Sequence, residues 1–237
     1  MSAGAPPGRL CDPVLTSLGI PHAFGRRGAR APEATFFPTQ VHGTAVLEAS
    51  AEPPPGRLEA DAVVTRVPGR AVGVVTADCV PILLASEDGA VVGAIHAGWR
   101  GLAAGVIQAG VRAVGERASG APLRAAVGPA ARGCCYEVDE PVRRALERCA
   151  APGLDALLLP GRPGRFQLDL AGLAARVLGA AGLSQDRVGL THCVCTICDP
   201  DRFHSYRREG ASAGRLAHFI QRPEAAPGRV DSPGGRS

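Results

Sequence analysis

Two histidines and a cysteine stand out in this sequence by their settings. His42 lies in Gln40-Val41-His42-Gly43, Cys79 in Thr76-Ala77-Asp78-Cys79, and His96 opens His96-Ala97-Gly98-Trp99-Arg100-Gly101. Two imidazoles and one thiolate form the donor set of a catalytic zinc, which keeps its fourth tetrahedral position for water or substrate. A metal held that way lowers the pKa of an oxygen in the open position, so an enzyme is the leading expectation. On spacing alone a plainer alternative stays open, because a histidine on an apolar strand often just packs and a buried cysteine often serves as a small hydrophobe.

The stretch after His96 adds a second function. Residues Gly98 to Gly101 read as a strand-to-helix turn whose backbone amides, with Arg100 beside them, favour an anion. A phosphate or a phosphate-bearing substrate next to the metal is the expected consequence. Trp99 is expected as core or as pocket wall.

The three candidate ligands need rigid supports, and short β-type runs supply them. These are Ala45-Val46-Leu47, Ala62-Val63-Val64, Ala71 to Val75, Ile82-Leu83-Leu84 and Ala90 to Ile95, separated by Pro/Gly turns. Cys79 follows one run and His96 ends another, so both are expected at one rim of a sheet. Apolar residues at spacings of three to four predict a helix over residues 101–117, from Leu102, Val106, Ile107, Val111 and Val114. A strand ends at Val127. Further helices are predicted over residues 141–150 and 168–178, the latter with Asp169 in its first turn, and a last strand over 187–194. Interleaved strands and helices without internal repeats indicate one mixed α and β domain.

Both ends of the chain, residues 1–21 and 222–237, are rich in Pro, Gly and small residues and are expected to be flexible. One catalytic domain is left over residues 22–221. Hydrophobic residues make up 46% of the 237, enough to bury a core, and with only Phe 6, Trp 1 and Tyr 2 that core must be aliphatic. Scarce aromatics also argue against stacking platforms for single-stranded nucleic acid. The net charge of +4 comes with 26 basic residues that are all Arg. They form no continuous run, so a small anionic substrate is expected rather than nucleic acid. The lack of lysine excludes Schiff-base chemistry and a Walker-type phosphate site.

The first ten residues hold no apolar run fit for a secretory signal, and no stretch approaches the roughly 20 apolar residues of a membrane span. A cytoplasmic protein without membrane or obligate protein partner is expected, in which eight cysteines serve as thiols or ligands rather than disulfides.

Six ordered blocks carry a resemblance. They are Thr39 to Gly43, Ala60-Asp61-Ala62, Thr76 to Ile82, His96 to Gly101, Gly128-Pro129 with Cys135 to Val138, and Phe203 to Arg208. On them the chain resembles the bacterial family variously labelled polyphenol oxidase or laccase domain, peptidoglycan editing factor, and multifunctional purine nucleoside phosphorylase. The resemblance implies an α+β fold, a mixed β-sandwich flanked by helices in α/β/β/α layers. It also implies one zinc per chain on His42, Cys79 and His96. The activities it implies are phosphorolysis of adenosine, inosine and methylthioadenosine, with adenosine deamination as a related reaction and a purine nucleoside and phosphate as partners. Arg27, in the Gly25-Arg26-Arg27-Gly28 turn, lines up with a family arginine near the site and joins the catalytic set. Arg27, Arg100 and Arg207 are expected to neutralise phosphate charge. Asp61, Asp78 and Ser205 join Arg100 and Arg207 as expected substrate contacts, the two aspartates with turn capping or orientation of the histidines as alternatives.

Three other chemistries come into question. A copper oxidase is disfavoured, since Met1 is the only methionine for a blue-copper axial position and six histidines do not suffice for a laccase's trinuclear cluster. Cys79 activated by His96 would give a cysteine amidase acting on a peptidoglycan precursor. Cys193, Cys195 and Cys198 with His192 suggest a small metal knot, but the only other clustered pair, Cys134-Cys135, is adjacent and poorly spaced for chelation. Buried or redox-sensitive thiols are expected there instead.

Overall fold

The computed structural model describes residues 9–52, 56–148 and 153–224. Its strands are β1 (His22–Ala23), β2 (Val46–Glu48), β3 (Ala62–Thr65), β4 (Ala71–Thr76), β5 (Val80–Ser86), β6 (Val92–Ala97), β7 (Leu123–Val127), β8 (Glu137–Asp139), β9 (Leu158–Pro160), β10 (Arg165–Leu168), β11 (Val188–Gly189) and β12 (Leu216–Gln221). Its helices are α1 (Pro13–Thr16), α2 (Trp99–Ala104), α3 (Val106–Arg117), α4 (Glu140–Glu147), α5 (Leu170–Ala180) and α6 (Tyr206–Glu209).

The centre is a six-stranded sheet in the order β11-β7-β5-β6-β3-β2, with β5 antiparallel to both of its neighbours. β5 is buried along its whole length because both faces are covered. Its side chains alternate with the period-2 rule of a strand. Val80, Ile82 and Leu84 join the core beneath α3 and α5, while Leu83 and Ala85 join a second core with Val72, Val74 and Ile220. Those last three lie on the small sheet β1-β12-β4, so the second core fills the space between two sheets. A third sheet, β8-β10-β9, completes the single α+β domain, a mixed sandwich flanked by helices as the resemblance implies. Among the described residues no helix is long and apolar enough to cross a membrane.

Four local expectations change. Residues 9–21, expected to be flexible, are folded: Asp12 caps α1 by accepting from the Val14 N–H, and Leu15 and Ile20 are buried against the second core. Their spaced apolar residues, not the Pro/Gly content, decide the outcome. Residues 1–8, and 225–237 of the expected flexible tail, lie outside the described residues. The helix predicted over 101–117 is two helices, broken where Gly105 takes a left-handed φ of 97°. The strand predicted over 187–194 shrinks to Val188–Gly189, and residues 190–196 form a loop. Residues 216–221, for which the sequence predicts no element, form β12, antiparallel to β4. Asp169 caps α5 through the Gly172 N–H rather than lying within it, and residues 149–150 of the helix predicted over 141–150 are not described.

Two buried histidines fasten β1 and β12 and fix an acid limit. His218 Nδ1 accepts from the Gly25 N–H at 3.1 Å and its Nε2 lies 2.8 Å from the Thr76 hydroxyl. His22 Nε2 accepts from the Asp12 N–H at 2.8 Å. A ring nitrogen that accepts is unprotonated, so both rings are neutral. Burial lowers both, His218 to about 3. The unfolded chain, with histidines near the usual value of about 6.5, then takes up protons before the folded one does. Stability is complete above that value and falls as the pH drops from it, through His218 by about 1.4 kcal/mol per pH unit towards 3 and through His22 in the same direction. Urea midpoints measured from pH 7 to 4 should fall with that slope, and His218→Gln should flatten it. An unchanged midpoint down to pH 4.5 would refute it.

Candidate metal centre

The three ligands arrive on two strand ends and one loop. His96 is the fifth residue of β6 and pairs with Pro81, and Cys79 immediately precedes β5, so the shared rim brings both together. His42 comes from the loop before β2. Its Nε2 lies 3.9 Å from Cys79 Sγ, and the two imidazoles meet edge to face with centroids 4.9 Å apart. One ligand atom from each of the three lies within 4.8 Å of the others.

Gly98 shows why the loop must come this close. A Cβ there would stand 2.9 Å from His42 Cδ2 and 3.0 Å from Cys79 Sγ, so only glycine leaves the cradle open. Two neighbouring backbones are strained to complete it, with His42 at φ 61° and Asp78 at φ 88°. Each strained turn is held by one aspartate.

Asp61 holds the first. Its buried carboxylate accepts from the backbone N–H groups of Val41 (3.2 Å), His42 (2.9 Å) and Gly43 (2.6 Å), and Oδ1 lies 2.7 Å from His96 Nδ1. That last bond fixes the ring and leaves Nε2 for a metal, the arrangement by which carboxylates orient ligating histidines. Asp78 holds the second. It accepts from the hydroxyls of Thr196 (2.6 Å) and Ser205 (2.9 Å) and from the Arg207 N–H (2.7 Å). Gln40 pins the same region by exchanging two hydrogen bonds with the Val75 backbone, at 2.7 and 2.8 Å.

The electrostatics suit anionic sulfur. Burial pushes the Cys79 thiol up, but the imidazoles of His42 and His96 outweigh it and bring it down to about 7. For His96 burial acts downward, while Asp61 and Cys79 raise it to about 9. A soft thiolate with two imidazoles, one of them carboxylate-oriented, fits zinc as a donor set. Above it opens a cavity of about 610 Å³ lined among others by Gln40, Trp99, Arg100, Tyr136, Arg207 and Arg215. Arg100 lies over the Trp99 ring at 4.4 Å and Arg207 over Tyr136 at 4.6 Å. Burial pushes the Tyr136 hydroxyl up to about 12, so it faces the cavity as a neutral phenol.

Several expected site residues lie elsewhere. Arg27 is not among the lining residues; it pairs with Glu209 and donates to the Phe203 carbonyl at 3.2 Å. Asp61 and Ser205 are fully buried and spent on internal hydrogen bonds, so neither is a cavity wall. Asp78, Arg100 and Arg207 do line it. Arg215 was missed, and no sequence signal marked it, whereas Tyr136 lay inside a matching block. Cys193 joins no cluster: its sulfur lies 3.3 Å from Arg132, and His192 bonds the Cys11 carbonyl at 3.0 Å. What does assemble is Cys134, Cys135, Cys195 and Cys198, with all four sulfurs within 4.8 Å.

The other four histidines are dispersed: His22 and His218 hold β1 and β12, His204 faces Glu209, and His192 bonds Cys11. The donors of a histidine-rich copper cluster are therefore not brought together.

Fold and site together define a class of single-domain α+β proteins that set two histidines and a cysteine at a sheet rim below an arginine-lined cavity. The chain belongs to the family described as multi-copper polyphenol oxidoreductase laccase, which matches residues 23–223. The purine nucleoside phosphorylase PA4543 of Pseudomonas aeruginosa is 41% identical over 181 residues, 76% of this chain and 71% of the relative. Purine nucleoside phosphorylase YfiH of Escherichia coli is 35% identical over 189 residues, 80% of this chain and 74% of the relative. The crystal structure of YlmD from Geobacillus stearothermophilus matches with a TM-score of 0.73 at 31% identity, covering 81% of this chain and 74% of that one.

Proposed function

We propose that this chain is a zinc-dependent purine nucleoside phosphorylase, acting on adenosine, inosine and methylthioadenosine, with adenosine deamination as a side reaction. The observation that carries it is the placing of His42, Cys79 and His96 in one cavity with Arg100, Arg207 and Arg215. The names of the relatives above support the same substrate class.

His42, Cys79 and His96 would hold one zinc, which when bound supplies Lewis acidity in the cavity. The protein does the rest. Arg100, Arg207 and Arg215 gather phosphate and balance its charge against C1′ of the ribose. Trp99 and Tyr136, each already covered by an arginine, give the purine flat walls, and Tyr136 offers a neutral O–H. Asp61 keeps His96 oriented, and Asp78 keeps the Arg207 loop against the site. The volume suits a nucleoside with phosphate. We take the enzyme to be cytoplasmic, with no nucleic acid or obligate protein partner, in keeping with seven described cysteines that are thiols.

Chromatography of adenosine incubated with the metal-loaded protein should show adenine and ribose 1-phosphate only when phosphate is present. Arg207→Ala and Arg215→Ala should each raise the KM for phosphate about tenfold or more, as for a lost charge-assisted hydrogen bond of about 1.5–3 kcal/mol. Inosine formed without phosphate would establish the deaminase.

A second chemistry has one specific observation in its favour. Cys79 near 7 beside His96 near 9 is the pairing of an activated thiol nucleophile. Chelation separates the two, because a thiolate with its imidazole works without metal. Chelator-resistant hydrolysis of a muramyl peptide amide, with adenosine untouched, would replace phosphorolysis by amide cleavage.

A further inference from the structure

We infer that the chain carries a second metal site, a structural zinc held by the thiolates of Cys134, Cys135, Cys195 and Cys198. Cys198 Sγ lies 3.3 Å from Cys134 Sγ and 3.0 Å from Cys135 Sγ, and all four sulfurs fall within 4.8 Å of one another. A zinc bound at about 2.3 Å to four tetrahedral sulfurs sets them about 3.8 Å apart. The separations here, 3.0 and 3.3 Å for two pairs and none above 4.8 Å, bracket that spacing. Cys134 and Cys198 are exposed, so an ion can reach it from solvent.

The shape of the cluster argues for a metal over the alternatives. Separate disulfide pairs do not describe the group, since Cys134 and Cys135 both converge on Cys198 and Cys195 closes it. Apolar packing does not explain it either, since two of the four are at the surface. Four thiolates select a thiophilic cation over calcium or magnesium. Binding balances without any oxidant: four S–H groups release four protons to solvent, and four Zn–S bonds form on a Zn²⁺ that keeps its charge.

The position of the site gives it a task. Cys134 and Cys135 lie on the loop from β7 to β8, which continues into Tyr136 of the cavity wall. Cys195 and Cys198 lie on the loop from β11 to α6; Thr196 and Ser205 of that loop and Arg207 of α6 hold Asp78 next to Cys79. Besides the thiols the two loops are joined by a short bridge, through the Ala130 N–H to Val194 and the Thr196 N–H to Ala130, each 3.1 Å, and by Arg132, which donates to the Cys193 carbonyl. A tetrathiolate staple would lock both loops and so position the wall that faces the catalytic cavity.

The test uses the full chain, reduced, stripped of metal and titrated anaerobically with zinc alone and then with cobalt alone. Wild type should bind two zinc ions. Cys198→Ser should bind one. Cys79→Ala, which keeps all four cysteines of the second site, should bind cobalt with the intense thiolate charge-transfer absorption of a tetrathiolate, and Cys79→Ala/Cys198→Ser should lose that absorption. Zinc bound to Cys79→Ala should also shield four thiols from a thiol reagent. A single zinc in wild type, no cobalt–thiolate absorption in a folded Cys79→Ala, or a Cys198 disulfide in anaerobically purified protein would each overturn the site. These readouts do not depend on turnover, so they stand apart from the phosphorylase assignment.

Discussion

Replacing Asp61 by Asn should cost the His42–Cys79–His96 site about ten- to a hundredfold in zinc affinity, the range found when a carboxylate behind a ligating histidine is lost. The effect is large because one Asp61 side chain serves two ligands. It orients His96 through Nδ1 and holds His42 at φ 61° through three consecutive backbone N–H groups. Asparagine keeps one oxygen, so either the histidine or part of the amide set loses its acceptor. Asp61→Ala removes both and leaves buried donors unpaired, which should lower stability by about 3–5 kcal/mol. Competition with a chromophoric chelator reads the first effect and urea unfolding the second. Wild-type affinity in Asp61→Asn would mean that the ring is held by packing alone.

The contrast between Asp61 and Arg27 shows what a sequence can disclose about this site. His42, Cys79 and His96 are legible because their chemistry is intrinsic to the residue types and because strand ends can be read from apolar runs. The alternation that sends Ile82 and Leu84 to one core and Leu83 and Ala85 to the other is equally local. Arg27 illustrates the limit. Proximity along a matching turn does not say where a long side chain ends, and Glu209, 182 residues away, captures it. Arg215 immediately precedes β12 with no motif of its own, and its place in the wall depends on how β12 pairs with β4. Cys134 and Cys135 look unsuited to chelation when read as a pair. They gain partners only when the parallel bridge between Ala130 and Cys195 lays the two loops side by side. Long-range pairing of that kind leaves no periodic trace.

Asp78 should show the second large effect, and its variants separate strain from hydrogen bonding. Three donors from residues 196–207 converge on its carboxylate, and the Ala131 N–H reaches its carbonyl at 2.8 Å. Asp78 is therefore the point at which both distant loops attach to the turn that presents Cys79. Its φ of 88° is tolerated better by Asp or Asn than by other side chains. Asp78→Asn keeps that tolerance and an oxygen acceptor, and should lose about 1–2 kcal/mol. Asp78→Ala loses every side-chain bond and adds backbone strain, and should lose about 3–5 kcal/mol. Freed from Asp78, the loop also carries Arg207 away from the cavity, so the KM for phosphate should rise in Asp78→Asn more than kcat falls. Unfolding by urea and a phosphate titration of the folded variants measure the two. A loss below about 1 kcal/mol in Asp78→Ala would show that the loops are anchored elsewhere, by the Ala130 bridge, Arg132 and the four-cysteine cluster.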